Sequence, residues 1–238
     1  MSDPFEALLV VQDHDTAVDQ LRHRHATLAT RAELAGVEAR LSAIGSRAAV
    51  VTAARDEHGG HQADLERQID VSRVRRDELE KRMFGGQVTA GRELQAIDEE
   101  VRHLARHVAE LEDRELEVME VIEPLDEELA TLAAERLELE EIADRLRATI
   151  GREEEAIAAE VAAQLTEREQ AAAAVAPELL ATYERLRAKL GGTGAARVVG
   201  GSCSGCHLVL PSMEVDRIRK ASPDALITCD QCGRILVR

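Results

Sequence analysis

Four cysteines, arranged as two C-x-x-C pairs, are the residues of this chain whose spacing most clearly indicates chemistry. The pairs are Cys203 with Cys206 and Cys229 with Cys232; 22 residues lie between them, and the chain contains no other cysteine. Two such pairs at this separation are typical of a single tetrahedral zinc site. Because four thiolates leave no open coordination position, we expect one structural Zn²⁺ that takes no part in catalysis.

Two disulfides or a redox-active dithiol are the alternative interpretations of the same four residues. A further alternative is His207, which directly follows the second cysteine and could replace one thiolate as a ligand. We favour the four-cysteine set, because it already completes a tetrahedron. Gly205 and Gly233 are expected to supply the backbone freedom that the two cysteine turns need.

The composition of the remaining chain indicates long helices. Charged residues make up 32% of the 238 residues and aromatic residues only 1%, namely Phe5, Phe84 and Tyr183. A globular core of this size would normally contain several large aromatic anchors. Abundant Ala, Leu, Glu and Arg is instead typical of long helices and coiled coils, and predicts a mainly α protein.

Two runs of apolar residues, each with alternating steps of three and four, lie on either side of a glycine-rich segment. The first run spans 34–83 and the second spans 94–150, with the glycines at 84–92 between them. Two matched heptad segments around one loop predict an antiparallel coiled-coil hairpin whose tip lies near 84–92.

At one height of the predicted hairpin, both arms contain residues that are unfavourable in a packed helix. The first run turns polar around Gly59 and Gly60, and the register of the hairpin predicts Pro124 opposite Ala53, at nearly the same height. A proline inside a helix kinks it, and each interior glycine costs about 1 kcal/mol. We therefore expect a kinked rod, bent near Pro124, with a bend, a break or a flexible joint at the glycine pair.

The boundaries of three regions follow from these patterns. Residues 1–176 are predicted to form the coiled-coil hairpin, residues 177–194 a short helix and a glycine-rich linker, and residues 195–238 a Cys₄ zinc ribbon. Pro177 suits a first helical position, and Gly191-Gly192 is expected to end that short helix.

Within the ribbon, segments 208–210 and 235–237 are predicted as strands paired around the zinc site. A short helix is expected from Ser212 to Lys220, with Ser212 as its cap and with Met213 and Ile218 facing inward. Because the ribbon is too short to build a stable core unaided, zinc is expected to supply much of its folding free energy.

The net charge of −16 is unevenly distributed along the chain. Of the 30 basic and 46 acidic residues, six and four respectively lie in 195–238, so 1–194 contains 24 basic and 42 acidic residues, a net of −18. Such a charge repels nucleic acid, and any affinity for it must come from a local patch. The candidate patch on the ribbon consists of Arg217, Arg219, Lys220 and Arg234, with Arg238 nearby; ordinary surface charge is the alternative interpretation.

No combination of residues indicates an enzyme. The sequence contains no Walker loop, nucleophile elbow or H-E-x-x-H motif, and its carboxylates follow solvated helical spacings. The first residues lack the features of a signal peptide, and no apolar run has the length of a membrane span. We therefore expect a cytoplasmic protein with no enzymatic activity, no small-molecule substrate and no membrane partner.

Two motifs resemble those of a known group, the bacterial C4-type zinc-ribbon proteins with a long N-terminal coiled-coil hairpin. One motif is the glycine-rich segment Phe84–Thr89 leading into Arg92-Glu93-Leu94, and the other is the ribbon ending Cys232–Leu236. The resemblance covers essentially the whole chain. It implies a kinked coiled-coil hairpin followed by a zinc ribbon, and Asp230 departs from the proline or glutamate that many ribbons carry.

The resemblance also implies a function. Some flagellated relatives bind an alternative sigma factor and a flagellin messenger RNA, but nothing in this sequence indicates a flagellated source. We expect an adaptor or regulatory protein whose ribbon contacts RNA, DNA, or a sigma factor or other transcription protein through the candidate patch, while the coiled coil contacts protein partners. The alternatives are a structural tether that uses the rod and its tip loop Val88–Arg92, and a redox sensor whose oxidised thiolates release zinc.

Overall fold

The computed structural model describes residues 4–86, 88–222 and 225–238. Expectations that involve residues 1–3, Gln87 of the tip motif or residues 223–224 lie outside this part of the chain. Two compact units are present: one combines Met1–Glu33 with Leu146–Arg238, and the other is Leu34–Arg145.

The unit Leu34–Arg145 is an antiparallel helical hairpin. It is formed by most of helix α2, Ala29–Phe84, and by the first part of helix α3, Gly91–Ala172. Arg82 pairs with Glu93 beside the tip at 3.5 Å, and Arg47 pairs with Glu128 far from the tip at 2.5 Å. Two buried apolar clusters join the arms, one of Leu65, Ile69, Val108 and Leu111, and one of Leu79, Val88 and Ile97. The hairpin predicted from the heptads is therefore confirmed.

Neither helix is interrupted at the residues that are unfavourable in a packed helix. Helix α2 continues through Gly59 and Gly60, and α3 continues through Pro124. The expected break at the glycine pair is wrong, because a cost of about 1 kcal/mol per glycine is small beside that of losing the helix on both sides. The bend near Pro124 stays a prediction.

The first arm is interrupted elsewhere, at Thr27 and Leu28, within the region 1–176 that was predicted to form the coiled-coil hairpin. These residues separate helix α1, Pro4–Ala26, from α2. The Thr27 hydroxyl donates to the His23 carbonyl at 2.9 Å, and the Arg31 guanidinium donates to the His25 carbonyl at 2.7 Å. The Arg31 bond gives the His25 carbonyl a partner at the end of α1, whereas the His23 carbonyl also accepts the Thr27 amide at 3.0 Å.

The other unit joins α1 to the C-terminal segment through one apolar core. Helix α4, Pro177–Lys189, begins with proline in its first turn as predicted, and Gly191 and Gly192 follow it with φ of +72° and +102°. Strands β1, Ala195–Val199, and β3, Ile235–Val237, pack beside it. The core consists of Phe5, Leu8, Val11, Val175, Tyr183, Ala195, Ile235 and Val237. The ribbon therefore shares its core with helices α1 and α4.

Strand β1 is the centre of a three-stranded sheet. It pairs antiparallel with β2, Ser202–Cys203, and parallel with β3, with Ala196 opposite Leu236. Segment 235–237 is thus a strand, as predicted, but the predicted pairing with 208–210 is wrong. Val209 makes only an isolated bridge to Ser202. Segment 235–237 pairs with β1 instead. The Ile235 amide donates to the carbonyl of Gly194, directly before that strand, at 2.9 Å.

Helix α5, Ser212–Lys220, has the predicted bounds but a different inner face. Pro211 is the N-cap, and Ser212 makes no capping hydrogen bond, so the predicted cap is wrong. Met213 is 84% exposed, which contradicts its inward assignment, whereas Ile218 is buried as expected. Glu214 is buried beside Ile218 one turn away, because its carboxylate accepts a backbone hydrogen bond from the ribbon.

Candidate metal centre

The two cysteine turns have the same backbone hydrogen bonds. In each turn the first cysteine amide donates to the carbonyl five residues later, and the amide four residues later donates back to the cysteine carbonyl. The bonds are Cys203 to Leu208 at 3.1 Å and His207 to Cys203 at 2.7 Å, then Cys229 to Arg234 and Gly233 to Cys229, both at 2.8 Å. The repeated local structure directs both pairs of thiols towards one point.

The residue that follows each pair has a left-handed backbone. His207 has φ +62° and Gly233 has φ +74°. The two residues occupy equivalent positions, and each closes its cysteine turn through its backbone. This backbone role accounts for the position of His207 next to the site. The left-handed region costs a non-glycine residue about 1–2 kcal/mol, and Gly233 avoids this cost.

The four sulfur atoms converge. All lie within 4.8 Å of one another, and the Sγ atoms of Cys203 and Cys232 are 3.9 Å apart. A tetrahedron with zinc–sulfur bonds of about 2.3 Å has edges of about 3.8 Å. The thiols are unlinked, with Cys203 and Cys229 buried and the other two half-buried. Their number, type and spacing fit one structural zinc ion.

Burial and hydrogen bonds act on the thiols in opposite directions. Burial raises the pKa of Cys229 to about 12, although the backbone amides of Gln231 and Cys232 donate to its sulfur. At Cys232 burial also raises the pKa, but the backbone and side chain of Arg234 and the neighbouring thiols outweigh it and bring the pKa to about 7. A bound Zn²⁺ supplies the positive charge that holds all four as thiolates.

Helix α5 is fixed to the second cysteine turn by Glu214. One carboxylate oxygen, Oε1, accepts the Asp230 amide at 3.2 Å, and the side chain of Asp230 accepts a hydrogen bond from Arg217 at 3.0 Å. The Oε2 atom of Glu214 is buried and has no hydrogen-bond partner among the described residues. The helix therefore orients the loop that carries two of the ligands.

Gly205 provides space at the site, where backbone freedom was expected. Its φ is not positive, but a Cβ added there would lie 2.5 Å from Cδ of Arg234 and 3.0 Å from Cβ of Ala196. The first cysteine turn therefore packs against the side chain of Arg234, and a side chain at Gly205 would have to displace Arg234 and crowd Ala196 of β1. Gly233 alone of the two glycines has the left-handed conformation.

The four cations of the candidate patch have different environments. Arg217 pairs with Asp230, and Arg234 donates to the carbonyls of Thr193 at 3.1 Å and Leu190 at 3.5 Å. Arg219 and Lys220 are exposed at the end of α5. Neither of them forms an ion pair with another described residue. Arg238, also near the patch in sequence, donates to the carbonyls of Ala221 and Ser222.

A buried polar cluster around Asp15, which was not predicted from the sequence, supports the ribbon. Asp15 is 5% exposed; its carboxylate accepts the Tyr183 hydroxyl at 2.7 Å and Nε of Arg168 at 2.8 Å, and Arg187 lies at 3.5 Å. Arg168 also pairs with Glu184. The cluster joins α1, α3 and α4 beneath the first ribbon strand.

Gln12 fixes the glycine-rich segment in front of the ribbon. Its amide nitrogen donates to the Gly192 carbonyl at 3.1 Å, and its amide oxygen accepts the Gly194 amide at 2.7 Å. One signal could have revealed both residues: Gln12 and Asp15 lie in the stripe of Phe5, Leu8 and Val18 on α1. Polar residues in an apolar helical stripe indicate buried hydrogen-bond partners.

Among the described residues, no helix combines the length and the apolar composition that a membrane crossing requires.

Comparison with known proteins agrees with this architecture. Residues 11–191 match the CT398-like coiled coil hairpin domain, and residues 202–236 match a C4-type zinc ribbon domain. The uncharacterized protein Rv2229c of Mycobacterium tuberculosis is 32% identical over 235 residues, which cover 98% of this chain and 94% of that protein.

Two solved structures are similar over nearly the whole chain. A protein of Mycobacterium smegmatis has a TM-score of 0.85 and 26% identity, with 98% of this chain and 97% of the other covered. CT398 from Chlamydia trachomatis has a TM-score of 0.63 and 23% identity at the same coverage, a likeness of fold. The chain belongs to the CT398-like coiled-coil hairpin family and ends in a C4-type zinc ribbon.

Proposed function

We propose that the protein is a cytoplasmic, non-enzymatic adaptor that binds a protein partner through the exposed sheet face of its zinc ribbon. The observation that supports this most is a row of side chains on that sheet. Val199 is paired with Ser202, and Ser202 is bridged to Val209, both antiparallel. Opposite residues of antiparallel strands project from the same face. Val199 and Val209, which are 59% and 77% exposed, therefore flank a small serine.

Other exposed apolar side chains of the ribbon also favour a protein partner. Leu208 and Met213 of the ribbon are also exposed, at 51% and 84%. Apolar side chains at the centre of a contact are typical of protein interfaces, and contiguous exposed apolar patches mark binding surfaces. Since zinc and the shared core hold the sheet, little ordering entropy would be lost on binding.

Nucleic acid is the second candidate partner, and Arg219 and Lys220 support it because both are exposed. Arg217 and Arg234, however, already have hydrogen-bond partners within the chain. Two cations release few counterions, and a net charge of −18 over residues 1–194 opposes a polyanion. A transcription protein such as a sigma factor, which the family resemblance implies, is therefore a better candidate than RNA or DNA.

Site-specific photo-crosslinking in cells tests the proposal. A photoreactive amino acid at position 209 is expected to give a discrete protein adduct, and Val199→Asp should abolish it without changing the zinc content. The matched control is position 50, because Val50 on α2 is 62% exposed but lies outside the ribbon. No adduct, or an adduct unaffected by Val199→Asp, would contradict a ribbon interface.

A salt series with a 30-nucleotide RNA and a duplex DNA tests the second candidate. We expect no measurable affinity at about 0.15 M salt. Affinity that falls linearly on log–log axes, and that decreases in the double variant Arg219→Glu with Lys220→Glu, would favour a nucleic-acid reader instead.

A further inference from the structure

Phe84 is an exposed aromatic residue in a chain that has almost none. The other two aromatic side chains, Phe5 and Tyr183, are buried in the core around β1, whereas Phe84 is 80% exposed at the last residue of α2. A buried phenylalanine would contribute about 1.5–3 kcal/mol to stability. An apolar cluster lies next to it, because the adjacent Met83 packs against Leu79 and Val88 while Phe84 does not.

The tip has a defined backbone that presents Phe84. The Gly85 amide donates to the Lys81 carbonyl at 2.9 Å, and a Cβ at Gly85 would lie 2.7 Å from that carbonyl oxygen. Gly86 follows with φ +69°, in the left-handed conformation that ends helices. Val88 then returns to the apolar cluster between the arms. The aromatic side chain therefore projects from the last residue of α2, where the Gly85–Lys81 hydrogen bond continues the helical pattern.

The segment 81–92, which includes the tip at 84–92, has a charge opposite to that of the chain. Residues 81–92 contain three basic residues and no acidic one, within a protein of net charge −16. Arg82 pairs with Glu93 at 3.5 Å. Lys81 and Arg92 are exposed, and the described residues contain no ion-pair partner for either. The tip thus combines one projecting aromatic group with two available cations.

We propose that this tip is a second protein-binding site, at which Phe84 enters an apolar pocket bordered by carboxylates of a partner protein. Aromatic residues are enriched at the energetic centres of interfaces, and surrounding charges set orientation and association rate. Lys81 and Arg92 match carboxylates at the rim of such a pocket. The proposal does not depend on the role of the ribbon, since it concerns a different surface.

Nucleic acid and a second copy of this chain fit the tip less well. Three cations give a weak counterion-release effect, and the net negative charge of the protein opposes a long polyanion. A tip that bound elsewhere on an identical chain would make a head-to-tail contact, which generates rings or filaments. A local acidic pocket on another protein requires neither a long polyanion nor a head-to-tail contact.

The test uses the full-length zinc-loaded protein. Benzoylphenylalanine at position 84 retains the aromatic group and should crosslink in cells to one predominant protein. That protein is then purified, and its affinity is measured for the wild type, for Phe84→Ser, and for Lys81→Glu combined with Arg92→Glu. We expect each of the two variants to bind at least tenfold more weakly, and the wild-type affinity to fall with salt. Val50→Ser is the matched control and should bind like the wild type, because Val50 is also exposed, at 62%, on the same helix but far from the tip.

Each other outcome overturns the proposal. These outcomes are no adduct, a nuclease-sensitive adduct, an adduct with a second copy of the chain, or an affinity that Phe84→Ser leaves unchanged. Phe84, Lys81 and Arg92 are all exposed, so the variants should fold. Circular dichroism and zinc content verify this before binding is measured.

Discussion

At the scale of single residues, a left-handed backbone marks the residue that follows each cysteine pair. His207 and Gly233 occupy equivalent positions, with φ of +62° and +74°. The sequence predicted the four cysteines as zinc ligands because their spacing is local and specific. It favoured the four cysteines over His207 because they already complete a tetrahedron, and the convergence of the four sulfur atoms supports that choice.

Replacing His207 with glycine tests this interpretation. The variant His207→Gly should retain one zinc per chain and increase the free energy of unfolding by about 1 kcal/mol, because glycine adopts positive φ without strain. Chemical denaturation and metal analysis measure the two quantities. The reciprocal control, Gly233→Ala, should lower stability by a similar amount, and loss of zinc from His207→Gly would show that the imidazole is a ligand.

Tyr183 gives the protein an alkaline limit. Burial, with the hydrogen bond to Asp15 as a second cause, raises the pKa of Tyr183 far above its usual value. The contribution of the neutral phenol to stability is therefore complete below the unfolded pKa of about 10 and decreases as the pH rises above it. The loss should approach about 1.4 kcal/mol per pH unit.

Because Tyr183 is the only tyrosine and the chain has no tryptophan, tyrosinate absorbance reports this single group. We expect ionisation to coincide with unfolding, and Tyr183→Phe to remove the tyrosine-dependent part of the slope above pH 10. A tyrosine that ionised near pH 10 in the folded protein would contradict its burial against Asp15.

At the scale of elements, helix α2 continues where its sequence is weakest. Gly60 lies in a polar stretch, yet it is helical, and a Cβ added there would meet nothing within 4 Å. The predicted break at the glycine pair was wrong because ending the helix there would lose contacts of the arm on both sides, and that loss exceeds the cost of two interior glycines.

The variant Gly60→Ala should therefore increase the free energy of unfolding by about 1 kcal/mol, the difference in helix propensity between the two residues. Thermal unfolding followed by circular dichroism measures the change. Gly86→Ala is the informative contrast, since φ +69° makes alanine unfavourable there. A destabilised Gly60→Ala protein would show that the position bends in the native state.

Ribbon elements were harder to predict than helices. Their strands have only two to five residues, so no periodicity distinguishes them. The partner of Ile235–Val237 is strand β1, and the paired residues are 40 positions apart, so neither segment alone indicates the pairing. The inner face of α5 was assigned wrongly for a similar reason, because the distant amide of Asp230 is what attracts Glu214 inward.

At the scale of the whole molecule, the fold class followed from two patterns that act over different lengths. Heptads predicted the hairpin, and four cysteines predicted the metal module. The sequence did not reveal that the ribbon shares a core with helices α1 and α4, or that Gln12 and Asp15 lie beneath it. The contacts made by α1 join segments that are more than 150 residues apart, and only the folded chain brings them together.

X-ray absorption at the zinc edge, together with native mass spectrometry of the purified protein, tests the central claim most directly. We predict one zinc per chain, surrounded by four sulfur atoms at about 2.3 Å and no nitrogen. A nitrogen ligand would mean that His207 replaces a cysteine. A metal-free folded chain with Cys203, Cys206, Cys229 and Cys232 joined in disulfides would contradict a structural zinc ribbon.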